Sequence, residues 1–103
     1  MIGRSRFADV IRRQLDGFER EHADVIEDAR TRLDAYNRAS RDEAEELYGD
    51  YVDAVETGTE LLADIRDHFK WTLDEELGEQ YEREFNRAVG KRLPRFSLEI
   101  DLR

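Results

Sequence analysis

Apolar residues recur every three or four positions through most of this chain, a spacing that makes the amphipathic helix its main building unit. From Phe7 onward they are Phe7, Val10, Ile11, Leu15, Phe18, Val25, Ile26, Ala29, Leu33 and Tyr36. With His22 included, positions 11, 15, 18, 22, 25 and 29 form a coiled-coil-like seam and predict one helix over 5–38. Ser40 followed by Glu43 is a capping box, in which the hydroxyl accepts from an early helical amide and the carboxylate reaches back to the cap. It predicts a tight turn and a second helix over 41–71. The stripe of that helix is Ala44, Tyr48, Tyr51, Val55, Gly58, Leu62, Ile65 and Phe69. Gly49 and Gly58 each weaken such a helix by up to about 1 kcal/mol relative to Ala, so tertiary packing must hold it. Thr72-Leu73-Asp74-Glu75 repeats the capping pattern, which predicts a third helix over 73–92. Leu77, Tyr81, Phe85, Ala88, Val89 and Leu93 form its stripe, and Pro94, the one proline, ends it.

The period then changes. In Phe96-Ser97-Leu98-Glu99-Ile100-Asp101-Leu102-Arg103 every second residue is apolar, the pattern of a strand with one buried face. No other segment alternates over such a length. The backbone groups of this strand are therefore expected to meet water or another molecule, with Phe96, Leu98, Ile100 and Leu102 as the partner-binding face. The fold expected is all-α: a long antiparallel helical hairpin plus a shorter third helix in residues 1–94, with an extended, strand-like tail at 95–103.

At 103 residues the chain holds one domain. It lacks cysteine, which excludes disulfides and thiolate chemistry. No segment approaches the roughly 20 apolar residues needed to cross a bilayer, and the N-terminus lacks the apolar run of a secretory signal. A cytoplasmic protein is the expectation. The formal charge of −9 argues against nucleic acid and anionic membranes as partners of the surface as a whole. The charge is uneven. Residues 1–13 and 85–103 are each basic on balance and the middle is acidic, which suits end-to-middle association between copies.

Facing residues of an antiparallel hairpin turning at Ala39 and Ser40 would pair Leu33 with Leu47, Ala29 with Tyr51, His22 with Gly58, Phe18 with Leu62 and Ile11 with Phe69. A glycine opposite His22 leaves room for the imidazole or a water beside it. Glu19-Arg20-Glu21-His22 has an E-x-x-H spacing that resembles half of the di-iron site of ferritin-like four-helix proteins. The hairpin register places Glu56, and also Glu60, near His22, so the metal-binding expectation is a site of His22, Glu19 and Glu56 completed by oligomerisation. The second E-x-x-H of that family is missing, because Ile65 stands three residues before His68. His68, four residues after Asp64, reads as a surface group. The last seven residues are also loosely similar to the C-terminal cargo-loading peptides of proteins packaged in encapsulin shells, without the glycines usual in those peptides.

No phosphate-binding glycine loop, nucleophile triad or cofactor motif is present. The sequence thus points to a non-enzymatic helical interaction or scaffold protein, a homo-oligomer that associates through helix faces and its tail. A carboxylate and histidine metal-binding bundle is the alternative.

Overall fold

The computed structural model describes residues 6–103, so the expected helix start at Ser5 lies outside them. Among the described residues the regular structure is all helical: α1 Ala8–Glu21, α2 Ala23–Asn37, α3 Arg41–Lys70, α4 Glu75–Arg92, a 3-10 turn Pro94–Phe96, and α5 Ser97–Leu102. α3 is the axis of the molecule. Its 30 residues span about 45 Å at 1.5 Å per residue, close to the longest dimension of 52 Å. The first half of α3 pairs antiparallel with α2, as the Tyr36–Tyr48 ring contact and the Arg32–Asp50 ion pair record. Its second half runs antiparallel to α4, joined by the Lys70–Glu82 ion pair and the Arg66–Asn86 hydrogen bond.

The single helix expected over 5–38 is two helices, broken at His22, where φ is −124° and ψ 34°. The break sacrifices few hydrogen bonds. His22 N–H still donates to the Phe18 carbonyl at 2.8 Å, and Val25 and Ile26 donate to the His22 carbonyl. Its cause is tertiary. The ring of Phe96 meets Phe18 edge-on at 6.2 Å between centroids and occupies the space over Gly58 of α3. At that level α1 is therefore separated from α3 by a side chain from the far end of the chain. Arg92 of α4 then holds α1 through Asp16 and Glu19, so α1 lies along α4 while α2 alone follows α3.

Helix starts differ in detail from the sequence signals. Ser40 does cap α3, but its hydroxyl donates to Glu43 Oε1 at 3.2 Å rather than accepting a backbone amide. α4 begins two residues later than expected because Asp74 is its cap, accepting from the Leu77 N–H at 2.9 Å. Thr72 instead donates to the Phe69 carbonyl.

The extended tail is the largest correction. Residues 97–102 are helical. A strict alternation of apolar residues contains two i, i+4 pairs, Phe96 with Ile100 and Leu98 with Leu102, and each pair shares a face of a helix as readily as alternate residues share a face of a strand. One pair faces inward, Phe96 at 1% and Ile100 at 0% exposure. The other faces outward. With α5 docked between α3 and α4, the core runs from Phe7, Phe69, Tyr81 and Phe85 at one end to Phe18, Leu62, Val89 and Phe96 at the other.

Candidate functional site

Arg66 is the most unusual side chain in the core. It is 1% exposed and lies one helical turn beyond Leu62, on the stripe that buries α3. A buried guanidinium is strongly unfavourable unless its donors are satisfied. Here Nε donates to Asp67 Oδ1 at 2.9 Å, and Nη1 donates to Asn86 Oδ1 at 3.1 Å and to the Ile100 carbonyl at 3.2 Å. The last bond gives the Ile100 carbonyl near the end of α5 a side-chain donor beside the Arg103 N–H, which reaches it at 3.3 Å. Arg66 thus ties α3, α4 and the tail together. The sequence reading missed it, although its spacing from Leu62 and Phe69 was visible: a charged residue on an otherwise apolar stripe is the signal of a satisfied internal group.

The residues proposed as a metal site do not converge. His22 is half-buried with its ring 5.5 Å from that of Phe18. The room beside Gly58 that the hairpin register assigned to the imidazole is filled by Phe96, whose ring would overlap a Cβ built there. Glu19 accepts from Arg92 at 2.7 and 2.9 Å, an arrangement that with Asp16 pushes the guanidinium pKa above its usual value. Glu56 is exposed on α3. Among the described residues no cluster of three or more His, Asp and Glu could hold a metal ion.

The four tail residues expected to bind a partner divide. Phe96 and Ile100 belong to the core, whereas Leu98 and Leu102 are 72% and 74% exposed. A tail docked by half of its apolar side chains is not the free, extended peptide that the likeness to encapsulin cargo peptides implied. Elsewhere, a shallow groove between α1 and α3 is lined by Gln14, Asp64, Ile65, His68, Phe69 and Thr72. His68 turns Nδ1 to the Asp64 backbone carbonyl at 2.8 Å and faces the exposed ring of Trp71 at 5.7 Å. It stands on the surface, as its sequence context implied.

The arm formed by α2 and the first half of α3 has a different surface. Between residues 23 and 53 only Ala29 is fully buried, and Leu33, Tyr36, Leu47 and Tyr51 are half-buried. Tyr48 is 49% exposed and forms a ring cluster with Tyr36 at 5.1 Å and Tyr51 at 6.2 Å. Residues 23–57 carry 11 Asp and Glu against 4 Arg, whereas the rest of the chain carries 15 against 13. On α4, Arg83, Arg87 and Lys91 are exposed at i, i+4 spacing. None of these three forms an ion pair among the described residues.

No helix of the described residues is long and apolar enough to cross a membrane. Comparison of the chain with protein-family models, with curated proteins and with solved structures found no match.

Proposed function

We propose that this chain is a non-enzymatic helical interaction protein that self-associates, with the α2–α3 arm as its contact element. The observation carrying this reading is that the arm is only two helices thick, leaving Leu33, Tyr36, Leu47 and Tyr51 half-covered and Tyr48 open to solvent. Helices with apolar residues left on a second side gain free energy by packing against a further surface. The arm's acidity sets what that surface is. Two arms side by side would repel, whereas the Arg83, Arg87 and Lys91 row of another copy has the opposite sign. Its Arg side chains can lay their stems over tyrosine rings while the guanidinium groups meet carboxylates.

Light scattering across a range of protein and salt concentrations tests this. The expected result is a dimer or larger species at low salt that dissociates as salt rises, because exposed opposite charges are screened. The variant carrying Arg83→Glu, Arg87→Glu and Lys91→Glu should keep its helical circular dichroism and lose association. A monomer at every concentration and salt level would refute the proposal.

A further inference from the structure

The last ten residues are joined to the bundle by a very short connection. α4 ends at Arg92, and Leu93 alone separates it from the 3-10 turn that begins at Pro94. The tail folds back so closely that a Cβ built on Gly90 would lie 3.2 Å from Ser97 Oγ and 4.0 Å from Ser97 Cβ. The groove that receives the tail has a specific shape and polarity. Phe96 fits over the bare Cα of Gly58 against Phe18, Ile100 is fully enclosed, and the Ile100 carbonyl accepts from Arg66. None of these contacts requires that groove and tail belong to the same chain.

We infer that the groove also accepts the tail of a second copy, giving a dimer in which two chains exchange residues 94–103 reciprocally. Each copy would then supply the other with Phe96, Ile100 and the carbonyl that caps Arg66. The closed and exchanged forms share every groove contact, so the balance between them rests on the connection, on the entropy of association and on contacts newly made between copies. Two features favour exchange. The proline ring steers the residue before it, Leu93, toward extended backbone, the conformation in which the chain crosses to a neighbour. Leu98 and Leu102, 72% and 74% exposed in the closed form, lie within ten residues of that crossing, where the two copies meet. The inference rests on the self-association reading for its second copy but uses a different surface, the tail groove rather than the arm.

The chain has no cysteine, so Gly90→Cys with Ser97→Cys introduces a single possible disulfide in the full chain. The 4.0 Å between those Cβ positions is within the usual range of about 3.5–4.5 Å. The tail exchange predicts a bridge between chains: after refolding at high concentration, dilution and oxidation, most of the protein should run as a covalent dimer without reductant. An exclusively intrachain bridge in protein that light scattering finds oligomeric would overturn the exchange and leave self-association standing. Monomers throughout, with intrachain bridges, would overturn both. If the cysteine pair impairs folding, isotopically labelled and unlabelled chains without substitutions give a second readout by native mass spectrometry. At a salt concentration that dissolves the arm contact, exchange predicts mixed dimers after joint unfolding and refolding and none within hours of mixing the folded proteins. Only monomers at that salt concentration after joint refolding would refute the exchange while leaving the arm contact standing.

Discussion

Gly49 and Gly58 lie nine residues apart on α3, yet they belong to two different kinds of structure. Around Gly58 the helix is covered by Phe96 of the tail, with Phe18 of α1 behind that ring, and a Cβ there would overlap the Phe96 ring. Around Gly49 a Cβ would meet nothing within 4 Å, since α3 has only α2 beside it. One helix thus passes from a close-packed core, where volume is constrained to the size of a methyl group, to a two-helix arm where local propensity and surface charge decide stability. A bundle end of this kind specifies the fold. The arm offers a surface.

That contrast can be broken first at Arg66. Arg66→Ala removes the donor to Asn86 and to the Ile100 carbonyl and opens a cavity, and should destabilise the protein by about 3–5 kcal/mol, measured by chemical denaturation. A loss below 1 kcal/mol would mean that the tail contributes little to the core. Gly58→Ala should cost about 1–3 kcal/mol because the Phe96 ring must shift. Crystallographic or NMR comparison should locate the change at the tail.

Tyr81 offers a test by pH. Burial pushes its phenol up to about 12, and the phenol donates to Gln14 Oε1 at 2.8 Å. The folded state therefore keeps the phenolic proton over a range in which the unfolded chain, titrating near 10, releases it. Stability from this group is complete below pH 10 and falls as pH rises from 10 toward 12. Denaturant melts in that window should show the loss, and Tyr81→Phe should remove this contribution to the slope. A tyrosinate absorbance step near pH 12 in the folded protein is the direct check.

The smallest effect belongs to the arm. Gly49→Ala should stabilise α3 by up to about 1 kcal/mol through helix propensity alone, so the same substitution that harms the bundle helps the arm. A destabilising Gly49→Ala, read by thermal melting at equal protein concentration, would mean that a second copy covers that position.

The helical period was legible up to Leu93. Positions 44 to 69 predicted α3 to within a residue, and the 77 to 93 stripe located α4, because a spacing of three and four follows from helix geometry whatever the partner. The surface position of His68 was equally readable from its charged neighbours. The buried side of the candidate site was harder to read. Arg66 was passed over because its charge disguised its place on the apolar stripe. His22 was assigned the space beside Gly58 because a register drawn between two helices cannot anticipate a phenylalanine arriving from a third segment.

The tail shows most directly where each kind of information ends. Alternation over residues 96–102 satisfies period 2 and i, i+4 together, so local pattern leaves strand and helix equally provided for. Sequence by itself determined that this segment has two apolar edges and that long amphipathic helices precede it. The tertiary structure decided that the segment coils. Gly58 leaves a socket for Phe96 and Arg66 supplies a donor for the Ile100 carbonyl, and a helix delivers both groups to α3 while satisfying most of its own backbone.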